Sequence, residues 1–150
     1  MARAPFQVLV IPFRVLGDSA IEYAVFRRAD IDCWQGIAGG GEDEETPLEA
    51  ARREAYEEAG IPATSELIAL EPMSTMPVIG VCGSAWGSNV LVIPQYCFEV
   101  RMEDSIIRLS SEHTEHRWLP YEQAHDLLRW DSNKNALWEL DYRLRNGPLT

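Results

Sequence analysis

Three glutamates at helical spacing are the residues of this sequence best suited to chemistry: Glu54, Glu57 and Glu58. They fall at i, i+3 and i+4, so a helix brings all three carboxylates onto one face within a single turn. Like charges at that spacing destabilise an exposed helix by about 0.2–0.5 kcal/mol per pair. A solvated acidic face is the ordinary explanation of a charge run. The chemical explanation is a hard divalent cation such as Mg2+ or Mn2+, which takes carboxylate oxygens and bridges to substrate phosphates. Residues 42–58 hold eight carboxylates in seventeen positions, so the question applies to the whole segment.

Just upstream, Gly39-Gly40-Gly41 lets backbone atoms approach a ligand without side-chain obstruction. The run lacks the Gly-Lys-Ser/Thr ending of a P-loop, and three glycines alone identify nothing. Thr46, Pro47 and Glu49 mark a helix start, with a Thr-x-x-Glu capping box and proline at the first helical position. Gly60 supplies the C-cap. Leu48, Ala51, Ala55 and Ala59 recur at helical spacing and predict a face that packs closely on a sheet, with the charged residues opposite.

The full spacing is more specific. It reads Gly39, five residues, Glu45, seven residues, Arg53-Glu54, two residues, Glu57-Glu58, one residue, Gly60 and Ile61, with apolar Ala55. Seven fixed identities coincide by chance on the order of once in a billion starts. This is the complete Nudix box, and the sequence resembles the Nudix hydrolases. The resemblance implies an α/β Nudix fold, a mixed β-sheet in an α/β/α sandwich, with residues 1–150 as one domain and the box as loop, helix and loop over 39–61. It implies that Glu54, Glu57 and Glu58, with the Ala38 carbonyl, ligate metal. It also implies that Arg53 pairs with Glu45 and holds the loop against the helix, Gly60 being structural. An ordinary surface ion pair would be worth only about 0–1 kcal/mol there. Arg52 is left to solvent. An acid from outside the box is expected to complete the site as ligand or general base, with Glu112 the candidate and Glu115 in reserve. The chemistry implied is hydrolysis of a pyrophosphate linkage by a metal-activated water, with Mg2+ neutralising charge on the bridging and leaving oxygens.

Residues around the box bear on the substrate. Trp34-Gln35-Gly36-Ile37-Ala38-Gly39, Arg27-Arg28, Ser111-Glu112-His113, Trp118-Leu119, Trp130 and Ser132-Asn133 resemble the bacterial dihydroneopterin triphosphate pyrophosphohydrolase branch. That implies a triphosphate, either the pterin or a (deoxy)nucleoside triphosphate, released as monophosphate and pyrophosphate. Glu44 and Gly40-Gly41 depart from that branch's pattern. Nucleotide sugars and dinucleoside polyphosphates are the alternatives, with a non-catalytic nucleotide-binding domain as the competing class. Isomerisation of isopentenyl diphosphate shares the fold but requires a catalytic cysteine, and no cysteine here carries a supporting motif. Substrate contacts are expected from Arg27, Arg28, Trp34, Gly39, Gly40 and Asn133. Of the two arginines, one faces the phosphate site and the other solvent, since strand residues alternate. Trp34, Trp118, Trp130 and Trp138 are expected in the core, Trp34 being the one best placed to stack on a base. Asn133 serves equally well as a helix-start cap. His113 and His116, three apart on a strand, point to opposite faces, which argues against a shared zinc site.

Periodicity predicts the elements that must position these residues. Residues 6–15 and 21–28 are strands joined by a Gly17-Asp18-Ser19 turn, and 34–38 is a short strand running into the glycine loop. Residues 66–75, 90–100 and 113–119 are further strands, and 76–88 a surface loop. Helices follow over 121–128 and 132–145, the second capped by Ser132, stopped by Asn146-Gly147 and striped by Leu137, Leu140 and Leu144. A length of 150 residues with 46% hydrophobic and 25% charged side chains is a globular composition. The net charge of −11 opposes a nucleic-acid partner and leaves a small nucleotide-like molecule as the expected one. Cys33, Cys82 and Cys97 form no CxxC pair, which favours a reducing cytoplasm over a disulfide scaffold. No signal-like amino terminus is seen, and no apolar run approaches the roughly 20 residues that span a bilayer, so neither export nor a membrane partner is expected. A homodimer is compatible with all of this.

Overall fold

The central strand β1, Arg3–Leu16, is buried at every position from 6 to 13. A strand covered on both faces requires such a run, and this sequence supplies Phe6, Val8, Leu9, Val10, Ile11 and Phe13. The computed structural model describes residues 2–80 and 85–147; Cys82 lies outside them. β2 (Ala20–Arg28) and β4 (Ile37–Glu42) pair antiparallel with β1, and β7 (Val92–Arg101) pairs parallel with it. β3 (Trp34–Gln35) and β8 (His113–Leu119) add to β2, while β5 (Leu67–Ala69) and β6 (Ser74–Pro77) add to β7. Together they form one mixed sheet of eight strands.

Alternation along β1 divides its side chains between two layers. Phe6, Val8 and Val10 join Ala24, Phe26 and Ile37 beneath α1 (Pro47–Ala59), which contributes Ala50, Ala51, Ala55 and Ala59. Leu9, Ile11 and Phe13 join Tyr23 and Val25 beneath α2 (Tyr121–Leu127) and α3 (Asp131–Asn146), which contribute Ala124, Ala136, Leu137 and Leu140. Helices therefore cover both faces, and the expected α/β/α sandwich is the observed fold. The caps of α1 are also as expected. Glu49 N–H donates to Thr46 Oγ1 at 3.2 Å, Thr46 N–H donates to Glu49 Oε1 at 2.9 Å, and Gly60 closes the helix at φ 71°.

Several elements differ from the sequence reading. Gly39-Gly40-Gly41 is strand, not loop, because β4 pairs with β1 through these residues. The expected strand over 66–75 is broken into β5 and β6, with Pro72, which has no ladder donor, in the gap. Within the expected 76–88 loop, Met76 and Pro77 complete β6 and Val78–Gly80 forms one 3-10 turn; residues 81–84 lie outside the described part. α3 begins after Trp130, whose carbonyl accepts the Asn133 and Lys134 amides at 3.0 and 3.1 Å, so Ser132 sits inside the first turn. Trp130 and Trp138 are 38% and 52% exposed rather than core. Leu137 takes the inward position, and the next residue, turned about 100° around the helix, stacks instead on Tyr142 with ring centroids 5.3 Å apart.

α3 is tied to the sheet by polar contacts as well as by leucines. Tyr23 O–H donates to Asp141 at 2.7 Å, and the buried Asn133 Oδ1 accepts the Gly36 N–H at 2.8 Å. Asn133 was expected to touch substrate; at 3% exposure, with Nδ2 donating to Ser132, it is a structural tie. Removing the acceptor strands a buried amide, so Asn133→Ala should lower unfolding free energy by about 1–3 kcal/mol in a denaturant titration. The KM of the folded fraction should stay unchanged.

Glu99 gives a pH-dependent counterpart. It is buried, Oε2 has no hydrogen-bond partner among the described residues, and burial raises its carboxyl above the usual range, with Arg143 opposing the rise and Glu139 adding to it. A folded-state value above the unfolded one means that the charged form is penalised at neutral pH, and the penalty fades as pH falls through the folded value. Glu99→Gln should therefore raise Tm near pH 7.5, by about 2–4 °C per kcal/mol recovered. Scanning calorimetry should show that gain shrinking toward pH 4.5.

Candidate active site

The acidic turn of α1 is not a uniformly solvated face. Glu54 and Glu58, one turn apart, are only 8% and 3% exposed, whereas Glu57 faces solvent. Two buried carboxylates on a helix otherwise packed by alanine are costly unless partnered. For Glu54 the sheet provides the room: a Cβ at Gly39 would overlap the Glu54 carboxyl group, so glycine there is what lets α1 lie on β4. Gly40 and Gly41 likewise admit Arg3 and Phe6. The triple glycine thus makes space for side chains of the protein, and Gly39 and Gly40, expected as substrate contacts, are occupied by Glu54 and Arg3.

Arg53 partners most of the remaining acids. Its Nε and Nη2 donate to Glu45 at 2.8 and 3.1 Å, Nη1 donates to Glu54 at 2.9 Å and to Glu57 at 3.2 Å, and Nη2 also donates to the Gly40 carbonyl at 2.8 Å. One planar fork therefore joins the β4–α1 loop, the strand and the helix, which a lysine could not do. The fork lowers Glu45 by its hydrogen bond and is itself raised chiefly by Glu45. Glu54, by contrast, is pushed up to about 7, chiefly by burial; Arg53 opposes the rise and Glu57 and Glu58 add to it.

Glu58 is held from the other side. Ser110 Oγ donates to its Oε2 at 2.7 Å, and His113 Nδ1 lies 3.2 Å from the same oxygen, at ion-pair distance but without hydrogen-bond alignment. Burial would raise Glu58, but His113, Ser110 and Glu112 outweigh it and the carboxyl lies below its usual range. Glu112 moves the opposite way, raised by its own burial and by the neighbouring Glu58. Of the two acids considered from outside the box, Glu112 stands beside Glu58. Glu115 does not: it faces Arg27 and Arg117 at 3.6 and 3.5 Å on the other side of the sheet.

Ser110 and His113 were not anticipated as site residues. A Ser-x-Glu sequence in which the hydroxyl caps the Glu112 amide, here at 3.1 Å, is a local turn that could have flagged Ser110. The histidines also differ from expectation. The β2–β8 register shifts between Arg27 and Arg28, so both His113 and His116 reach the Phe26 ring, at 5.3 and 6.4 Å, instead of pointing to opposite faces.

Alternation on β2 places Arg28 with Ala24 and Phe26 on the α1 side, opposite His113 and near Glu112, where it also binds Asp30 at 2.8 Å. Arg27 lies on the α3 side, held by Asp32 and Glu115. Trp34 is buried on that same side with the Arg117 guanidinium over its ring at 4.6 Å. The acidic turn, Arg28 and Glu112 are thus together, while Arg27, Trp34 and Asn133 lie across the sheet. Ala38 is half-buried on β4 beside Gly39.

The donor set suits a hard divalent cation: carboxylate oxygens only, two of them on buried residues, Glu54 being raised chiefly by burial and then by the carboxylates beside it. Among the described residues, no three such side chains already converge as a metal shell. Glu54 and Glu57 are turned to Arg53, and Glu58 to Ser110 and His113. No helix of the described residues is long and apolar enough to cross a membrane.

Comparison with known proteins agrees with this geometry. The NUDIX domain family model matches residues 13–139. The asymmetrical bis(5'-nucleosyl)-tetraphosphatase of Rattus norvegicus is 32% identical over 123 residues, covering 81% of this chain and 80% of its own length. The dihydroneopterin triphosphate diphosphatase of Haemophilus influenzae is 25% identical over 122 residues, covering 79% of this chain and 77% of its own. A crystal structure from Listeria monocytogenes, described as a NUDIX hydrolase, matches with a TM-score of 0.87 at 41% identity over 95% of this chain and 96% of that one. With the box, the sandwich and these relatives in agreement, the chain belongs to the Nudix hydrolase family.

Proposed function

We propose that residues 1–150 act as one unit that hydrolyses a phosphoric anhydride in a nucleotide-like triphosphate, using Mg2+ held by the acidic turn of α1. The observation that carries this reading is the paired burial of Glu54 and Glu58 against Gly39 with Arg53 locked across the loop. Glu54, Glu57 and Glu58 would hold the cation, with the Ala38 carbonyl as an additional oxygen and Mn2+ as a substitute ion. A bound divalent cation supplies charge neutralisation on the phosphate oxygens and makes water a better nucleophile.

The chain's own residues do the rest. Arg53 keeps the loop, strand and helix in one arrangement, so that the backbone carrying the carboxylates stays fixed while their side chains turn to the cation. Glu112, beside Glu58 and raised by burial and by that neighbour, would accept a proton from the attacking water. Arg28, on the same side, is the arginine suited to a substrate phosphate.

Two substrate classes have support. The flanking sequence and the H. influenzae relative favour dihydroneopterin triphosphate or a (deoxy)nucleoside triphosphate, giving monophosphate and pyrophosphate. The rat relative, at 32% identity, favours a dinucleoside tetraphosphate. A panel of dihydroneopterin triphosphate, dNTPs, a nucleotide sugar and diadenosine tetraphosphate, assayed with Mg2+, separates them. The expected result is turnover of a triphosphate above that of the tetraphosphate, with Glu57→Gln lowering it by at least roughly 100-fold, beyond the loss usual for outer-shell partners. Silence on every member by wild type and variant alike contradicts the proposal.

Arg53→Lys retains the charge but not the fork. It should lower kcat/KM on the order of 10- to 100-fold, and unchanged kinetics would show that the Arg53 network plays no part.

A further inference from the structure

Ser110, Glu112 and His113 form a short clip at the entrance to β8, and its contacts converge on one oxygen. The Glu112 amide donates to Ser110 Oγ at 3.1 Å. With that lone pair used, the hydroxyl proton is directed onward, and Oγ donates to Glu58 Oε2 at 2.7 Å. His113, whose side chain is 1% exposed, brings Nδ1 to 3.2 Å from the same Oε2, and among the described residues Nδ1 has no other partner. Neither contact falls on Glu58 Oε1. His113 is itself fixed by the Phe26 ring and by its pairing with Arg28.

We propose that Ser110 and His113 are positioning residues for Glu58: together they hold Oε2, fix the carboxylate plane and leave Oε1 for a divalent cation, while the same clip carries Glu112 to its place beside Glu58. This rests on the assignment of Glu58 as a metal ligand made above. A glutamate side chain loses most of its rotamer freedom when bound. A helix surface alone does not restrict it, and a hydroxyl donor together with a buried imidazole against the same oxygen does. The clip also explains how an acid from outside the box comes to depend on the box. The Glu112 backbone is placed by an amide bonded to the hydroxyl that holds Glu58, so one serine hydroxyl anchors both residues.

The test is Mn2+ binding to the substrate-free protein, read by electron paramagnetic resonance and calorimetry. The variants are Ser110→Ala, Ser110→Thr, His113→Phe, Glu58→Gln and the distant core change Leu137→Ala. Ser110→Ala and His113→Phe should each weaken Mn2+ binding about 10- to 100-fold, the range for groups that orient a ligand. Ser110→Thr, which keeps the hydroxyl, should restore most of the affinity. Leu137→Ala should lower Tm without weakening Mn2+ binding. If Ser110→Ala and His113→Phe bind Mn2+ as wild type does while Glu58→Gln loses it, the positioning role is overturned and the ligand assignment stands. A loss by Leu137→Ala equal to theirs also overturns it, since general loosening would then suffice. If Glu58→Gln binds Mn2+ undiminished, the ligand assignment fails and the positioning role with it.

Discussion

Placing two glutamates of one helix turn against a sheet is the constraint from which most of this structure follows. A carboxylate removed from water is destabilising unless neighbours replace the lost solvation, and Glu54 and Glu58 are both nearly inaccessible. Each solves the problem differently. Glu54 lies over Gly39 and takes one arm of Arg53; Glu58 takes Ser110 and His113 from the start of β8. The alanine stripe of α1 and its two caps serve the same end, since only a closely packed, sharply bounded helix can carry both groups to those partners.

The two layers divide the labour. On the α1 side the sheet collects ionisable groups: Arg28, Glu112 and His113 with the acidic turn. On the α3 side, where Glu99 and Glu139 are also buried, the sheet is sealed by Tyr23–Asp141 and Asn133–Gly36 and rimmed by arginines on tryptophans. β1 is the shared wall. Its odd and even residues belong to different layers, so a change in β1 register would disturb both at once.

The parts legible in the sequence are those set locally. Thr46, Pro47, Glu49 and Gly60 mark the helix by chemistry within a few residues, and the box spacing marks the family. What was not legible depends on partners far along the chain. Glycine composition reads as loop, and only pairing with β1 and the arrival of Glu54, Arg3 and Phe6 make those positions strand. The helical spacing of Glu54, Glu57 and Glu58 said that they share a turn, not that two would be buried and one exposed. The two histidines looked opposed because strand alternation was assumed unbroken, whereas the β2–β8 register shift brings both to Phe26. Trp130 and Trp138 looked like core by residue type, but Leu137 and Leu140 had already filled the inward face of α3.

The central claim is that the buried carboxylates of α1 are a cation site, with Arg53, Ser110 and His113 serving to hold them. A crystal soaked in Mn2+ and measured at the manganese absorption edge tests it most directly. The account predicts an anomalous peak within about 2.0–2.6 Å of carboxylate oxygens from Glu57 and Glu58. A protein saturated with Mn2+ whose anomalous peaks all lie away from α1 would contradict it.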